Sequence, residues 1–429
     1  MSNYKPRIAD KLLTEYLEAI GCVLVQGLKW CGKTTTASQH ANSILYLDDP
    51  ENLDNNLRIA ETNIKLLLKG DTPRLIDEWQ LVPKLWDAAR FEIDHRPIHT
   101  GQFIFTGSSV PIDKKEDRSQ ITHSGTGRFA WLTMRSMSLW ESGDSTGEVS
   151  LTDMFDGKEV SAVGGNANLE DLAYLTCRGG WPGALSMGRG ASLRLASIYI
   201  DGVVNSDINR VDDVKRDPDF MMRLIRSLAR HQGTAVPISK LRTDIIANES
   251  SSMTDDTISD YIKVLKKIFL VEDMAAWNPN LRSKSAVRTS DTRYFTDPSI
   301  AVAALGVGPN DLINDMRSFG LLFETLAVRD LRVYADALDG KVYHFRDRNG
   351  LECDAVIHRR NGTYGLIEIK IGGNKLIEEG ATSLKTLIDK IDTSKMPPPA
   401  FAMVLTGIGQ YAYRRADGVY VVPISCLKD

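Results

Sequence analysis

The run Gly27-Leu28-Lys29-Trp30-Cys31-Gly32-Lys33-Thr34-Thr35 holds two glycines with four residues between them, followed by Lys and Thr. It lies between an apolar, strand-like segment, Cys22-Val23-Leu24-Val25, and a helix start at Thr36-Ala37-Ser38. A strand, a Gly-bounded turn and a helix N-terminus in that order restrict the fold sharply. The strand belongs in a parallel sheet, and the turn presents successive backbone N–H groups at the carboxyl edge of that sheet. Such a cradle suits the β- and γ-phosphates of a nucleotide: Lys33 adds a point charge, and the Thr34 hydroxyl joins the shell of Mg²⁺. Gly27, Leu28, Lys29, Trp30, Cys31, Gly32, Lys33, Thr34 and Thr35 are therefore expected to line ATP or ADP.

A chain of 429 residues that is 42% hydrophobic and 25% charged has room for two to four domains with their own cores. Its longest apolar runs fall well short of the roughly 20 residues that span a bilayer, and no apolar leader follows Met1, so no membrane partner and a cytoplasmic location are expected. Cys22, Cys31, Cys177, Cys353 and Cys426 show no paired spacing, which predicts reduced thiols and neither a disulfide framework nor a zinc site. A net charge of −4 excludes a wholly basic surface but leaves room for a local basic face.

Hydrolysis needs a second strand that supplies a carboxylate for Mg²⁺ and an orienter for the attacking water. Leu75-Ile76-Asp77-Glu78 fits, with Asp77 holding the metal shell and Glu78 aligning the nucleophile, although two acids after an apolar pair also merely end many strands. The segments Ile44–Asp49 and Gln102–Thr106 read as further strands alternating with helices, hence a parallel sheet. At the end of the latter strand, Thr106 or Ser108 is placed to sense the γ-phosphate.

Gly27 to Thr34, Ile76-Asp77-Glu78-Trp79-Gln80 with Val82-Pro83, Phe105-Thr106-Gly107-Ser108-Ser109, Gly127-Arg128 and Gly179-Gly180-Trp181-Pro182 together resemble the AAA-type ATPases of bacteria and archaea whose C-terminal half is a domain of unknown function. Trp79 stands where those proteins more usually carry an aliphatic residue. The resemblance implies an AAA+ core over about residues 1–165, a helical lid over 166–218, ATP and Mg²⁺ as cofactors, and assembly with further copies of the chain. It also implies an arginine that meets charge on the γ-phosphate, for which Arg128 and Arg178 are the candidates, and a Gly-Trp-Pro element that sets Pro182 against the adenine. Arginines beside glycine also serve as plain loop residues, and Gly-Trp-Pro as a helix-ending turn.

Residues 219–290 read as three short helices, Phe220–Ala229, Ile238–Ile246 and Thr257–Phe269, followed by a strand at Leu270–Met274, which is the order of a winged helix. Thr254 before Asp255 and Asp256 provides an N-cap and first-turn acids for the third helix. Lys263, Lys266 and Lys267 on that helix and Arg282, Lys284 and Arg288 in the wing are candidate DNA phosphate contacts. Asp255, Asp256 and Asp260 weigh against base reading, and helix-face lysines also serve as plain solvated surface.

In residues 291–429 a helix bearing Glu324 precedes two strand segments joined at Asn349-Gly350, a hairpin signal, and then Gly365-Leu366-Ile367-Glu368-Ile369-Lys370. Alternation puts Glu368 and Lys370 on one strand face. Asp354 and Glu368, completed by Glu324, form a carboxylate set for a divalent cation, with Lys370 placed to orient water or meet a phosphate. An Asp followed fourteen positions on by Glu-x-Lys, after a Glu-bearing helix, resembles the restriction-endonuclease-like fold. An active nuclease, an inactive module that binds DNA or protein, and a structural Glu–Lys pair all remain open. The expected chain is thus α/β throughout: an ATPase core, a helical lid, a winged helix and a nuclease-like domain, reading either as an ATP-driven machine on DNA, an ATP-switched scaffold or an ATP-gated nuclease.

Overall fold

The computed structural model describes residues 4–108, 124–165, 168–210, 214–246, 254–278 and 290–429. Contacts group the chain into two units. One comprises Met1–Arg135, Ser206–Arg216 and Val264–Phe269; the other comprises Ser136–Asn205, Asp217–Lys263 and Leu270–Asp429.

The first unit is built on a sheet of five strands, β1 (Cys22–Gly27), β2 (Ser43–Tyr46), β3 (Arg74–Asp77), β4 (Phe103–Gly107) and β5 (Phe129–Met134). Their order is β2-β3-β4-β1-β5, and every pairing is parallel. Helices α1 (Ile8–Ala19), α2 (Lys33–Gln39), α3 (Leu53–Asn63) and α4 (Leu85–His95) supply the crossovers and flanks. Strand β1 is fully buried apart from Gln26, as the Cys-Val-Leu-Val run predicts for a strand covered on both faces. An aromatic core forms under the sheet: Trp86 stacks on Phe129 with centroids 3.7 Å apart, and Trp79 lies 5.8 Å from Phe105. The unusual tryptophan at position 79 is thus a packing residue, 2% exposed.

In the second unit, helices α5 (Pro218–Arg230) and α6 (Ile238–Ile246) and the start of α7 (Asp255–Lys267) precede an antiparallel pair, β8 (Val271–Met274) and β9 (Thr292–Phe295). Asp217 caps α5 by accepting from Asp219 and Phe220 N–H, and Thr254 Oγ1 accepts from Thr257 N–H at the start of α7. Two-residue strands β6 (Val149–Ser150) and β7 (Ala162–Val163) come early in this unit. Helix α8 (Met316–Ala337), strands β10 (Gly340–Arg346), β11 (Glu352–Arg359) and β12 (Tyr364–Lys370), helix α9 (Asn374–Lys390) and strand β13 (Phe401–Thr406) follow, closed by β14 (Tyr411–Arg414), β15 (Tyr420–Pro423) and β16 (Leu427–Lys428). The main sheet runs β10-β11-β12-β13-β15-β14-β7 and is mixed: β11 is antiparallel to β12, and β13 is parallel to it.

Strand β7 joins the C-terminal sheet through β14, and β6 pairs in parallel with β16, so residues 136–165 group with the second unit, and the first stretch of the first unit runs to Arg135. All five cysteines are buried free thiols. Among the described residues no helix is long and apolar enough to cross a membrane.

Candidate active site

The phosphate-loop segment follows β1 at the carboxyl edge of the sheet, and its shape depends on two glycines. Gly27 has φ +149°, and a Cβ there would stand 2.0 Å from the Met134 carbonyl oxygen. Gly32, at φ +99° and ψ +16°, caps α2 in the left-handed region that L side chains avoid. Between them, Leu28 and Cys31 are buried while Trp30 is 53% exposed. Lys33 is buried, and its Nζ donates to the Leu28 carbonyl at 2.8 Å, which curls the ammonium over the loop. Lys29 turns away to pair with Asp207 at 2.6 Å, and Thr35 is exposed.

Arg7 is a site residue that the sequence reading missed. It is buried, donating through Nη1 to the Cys31 carbonyl at 2.8 Å and through Nη2 to the Arg135 carbonyl at 2.9 Å, so it braces the back of the loop. Tyr4 adds a second brace, its hydroxyl lying 3.1 Å from Thr36 Oγ1 and donating to Asp10 at 2.8 Å. An Arg one residue before an amphipathic helix carries no distinguishing signal in a single sequence.

The register that sets Ile76 beside Phe105 brings the ends of β3 and β4 together. Asp77, 5% exposed, accepts at one oxygen from Thr34 Oγ1 at 2.8 Å and from Thr106 Oγ1. Of the two proposed sensors, Thr106 therefore touches the carboxylate, while Ser108 is buried just past the strand end. The Thr34 hydroxyl and the Asp77 carboxylate are hard oxygen donors held together beside the loop, which fits the preference of Mg²⁺ for such ligands; bound there, the ion would neutralise charge on the β- and γ-phosphates. Glu78 sits in the left-handed region, φ +53° and ψ +42°, a conformation that a non-glycine residue adopts at a cost of about 1–3 kcal/mol. Burial pushes its carboxyl above the usual range, while Lys33 and a hydrogen bond from Gln80 Nε2 act in the opposite sense.

Arg128 is not part of this constellation. It directly precedes Phe129, which pairs with Cys22 at the amino end of β1, whereas Gly27 lies opposite Met134. A five-residue rise of roughly 3.3 Å each separates Arg128's end of the sheet from the loop. Its guanidinium instead pairs with Asp94 at 2.8 Å. A Gly-Arg dipeptide before a strand looks the same at either end of a sheet, which is why sequence did not reveal this. Arg178, in the second unit, is buried and paired with Asp144 at 2.6 Å. Pro182 opens a short 3₁₀ helix in that unit, next to Trp181, whose Nε1 donates to Ser299 Oγ at 2.8 Å.

The second unit gathers the other predicted set. The pairing of Ala355 with Ile367 places Asp354 opposite Glu368 one step on. Lys370 Nζ lies 2.6 Å from Glu368 and 3.1 Å from Asp354, and Ile369 N–H donates to Asp354 at 2.7 Å. Glu324 reaches the group from α8 and accepts from the Tyr294 hydroxyl at 2.6 Å, a partner on β9 that sequence reading missed. Burial, then the Asp354 charge, pushes both Glu324 and Glu368 up to about 8. Among the described residues, no three Asp, Glu, His or Cys side chains are gathered closely enough to form a metal ligand set. On α7, Lys263 is exposed and pairs with Asp260 at 2.8 Å, while Lys266 and Lys267 are half-buried. Arg282, Lys284 and Arg288 lie outside the described residues.

Three family models match in sequence: an AAA domain over residues 21–142, a domain of unknown function (DUF8612) over 169–311 and a domain of unknown function (DUF4143) over 319–427. No curated protein matches. Solved structures that align include the Walker-type ATPase PABY2304 of Pyrococcus abyssi, at 13% identity and a TM-score of 0.41 over 69% of this chain and 94% of that one. The Aeropyrum pernix ORC1 protein, solved in complex with DNA, aligns at 12% identity and a TM-score of 0.23 over 68% of this chain and 89% of that one. Lys33, Thr34, Asp77 and Glu78 all fall within residues 21–142, and the chain carries there an AAA-type P-loop ATPase domain.

Proposed function

We propose that this protein hydrolyses ATP with Mg²⁺ at the Lys33-Thr34-Asp77-Glu78 site and couples that turnover to DNA. The observation that carries the ATPase reading is the Thr34–Asp77 hydrogen bond of 2.8 Å, which joins the phosphate loop to the strand-end carboxylate at the one place where a nucleotide-bound cation needs both. Lys33 neutralises the β- and γ-phosphates, Glu78 aligns the attacking water, and Thr106 or Ser108 reads the γ-phosphate. Phosphate-site chemistry of this kind relies on positioning and charge rather than on covalent intermediates. Arg128, too far from the loop of its own chain, is assigned to the site of a neighbouring copy.

Two features support DNA as the partner. The order α5-α6-α7-β8-β9 supports a winged-helix reading, with Lys263, Lys266 and Lys267 on its third helix. The order α8-β10-β11-β12-α9-β13, with antiparallel β11–β12 and parallel β12–β13, supports the reading of a restriction-endonuclease-like core carrying Glu324, Asp354, Glu368 and Lys370. Steady-state phosphate release with single-stranded, duplex and branched DNA tests the reading.

A second reading, an ATP-switched scaffold with an inactive nuclease-like domain, draws on the engagement of that carboxylate set: Lys370 spans Asp354 and Glu368, and Tyr294 holds Glu324. The third, an ATP-gated metal-dependent nuclease, requires a Mg²⁺- or Mn²⁺-dependent cut.

A further inference from the structure

We infer that Gln80 is a positioning residue for hydrolysis, holding the Glu78 carboxylate in the direction in which it can align water. The inference rests on the ATPase reading of the Glu78 site.

Glu78 and Gln80 are two residues apart in a chain that makes an abrupt turn. Strand β3 ends at Asp77, Glu78 adopts a left-handed conformation, and a 3₁₀ turn over Trp79–Leu81 follows at once. That turn brings the Gln80 amide back onto the carboxylate of Glu78, where Nε2 donates to Oε2. The strained backbone at Glu78 and the Gln80 contact are therefore parts of one arrangement.

The other end of the same amide meets β4. Gly107 packs so tightly there that a Cβ would stand 2.7 Å from Gln80 Oε1 and 3.0 Å from Trp79 Nε1. Both of these atoms are buried, one an acceptor and one a donor, and neither has a hydrogen-bond partner among the described residues. Buried polar atoms without partners are uncommon and mark places where structure serves something other than stability. Gln80 thus lies between Glu78, which addresses water, and the strand end whose next residue is Ser108. A side-chain amide is suited to this post: it donates to one carboxylate oxygen without adding charge and leaves the other oxygen available.

The test uses the full chain, with kcat and KM for Mg-ATP compared for wild type, Gln80→Ala and Gln80→Glu. The glutamate has the same shape but replaces the donor with a second carboxyl group. Loss of a hydrogen bond to a charged group is expected to lower kcat about tenfold, with KM within about twofold of wild type. In Gln80→Glu the fall is expected to be at least as large, because the shape is kept and the donor is lost. Unchanged kcat in both variants, or a fall in kcat matched by an equal rise in KM, overturns the inference while leaving the ATPase reading intact. Absence of wild-type turnover overturns the ATPase reading and the inference with it.

Discussion

Thr34 and Asp77, 43 residues apart in sequence, meet through a 2.8 Å hydrogen bond from hydroxyl to carboxylate. The bond exists because β3 and β1 both flank β4 in a parallel sheet, so that the loop after one and the acid ending the other emerge on the same edge. Lys33 and Glu78 are their immediate neighbours in the chain, and each has a separable role.

Lys33→Ala is expected to abolish nucleotide binding in a titration with a fluorescent ADP analogue. Glu78→Gln is expected to bind as wild type does and to release phosphate at least about 100-fold more slowly, the scale on which an enzyme depends on a positioned acid–base group. Asp354→Ala, in the second unit, should leave both measurements unchanged. Normal turnover by Lys33→Ala would rule out the assigned site.

Stability in the second unit depends on a charge cluster that no candidate function uses. Arg329, 1% exposed, contacts Asp297 at 3.2 Å and Asp330 at 2.7 Å, and Asp297 also accepts from Gly180 N–H at 2.8 Å and Ser136 Oγ at 2.6 Å. Removing one partner leaves buried charge uncompensated, so Arg329→Ala should destabilise this unit by about 3–5 kcal/mol, read as a lower denaturation midpoint. Phosphate release per folded molecule supplies the control.

How much of this was legible beforehand depended on how local each signal was. The phosphate loop, Asp77, and the alternation that pairs Glu368 with Lys370 each lie within a few residues, and the structure sets Thr34 against Asp77 and Lys370 against Glu368. Arg7 was missed because its function depends on a carbonyl at Cys31 that only the tertiary fold brings near. Tyr294 was missed because its partner is on a helix thirty residues away. The two-residue strand β7 is too short for any periodicity to declare, so its pairing with β14 was not legible. Arg128 shows another limit: a Gly-Arg dipeptide does not tell which end of the sheet it occupies, so its distance from the loop of its own chain could not be read from sequence.

The carboxylate cluster predicts a pH dependence of stability. Glu324 and Glu368 are raised from 4.5 to about 8, so the folded protein binds more protons than the unfolded chain between those values. Their contribution is fully present below about 4.5 and is lost as pH rises through about 8. Thermal midpoints should therefore decline from pH 6 to pH 8.5, and Glu368→Gln should flatten that decline. An identical slope in the variant would remove Glu368 as its source.

If the same cluster cuts DNA, nicking of a supercoiled plasmid should require Mg²⁺ or Mn²⁺ and vanish in Glu368→Ala, while ATP turnover persists. Protection of the plasmid in both wild type and variant would instead favour the scaffold reading of the second unit.

The most direct measurement is steady-state ATP hydrolysis with Mg²⁺, alone and with single-stranded, duplex and branched DNA, using Glu78→Gln as the blank and a Lys263→Ala, Lys266→Ala, Lys267→Ala triple variant as the comparison. Coupling to DNA predicts that at least one DNA form raises wild-type turnover and that the triple variant needs more of it, with a shallower salt dependence. Turnover above the blank that is the same with every DNA would contradict it.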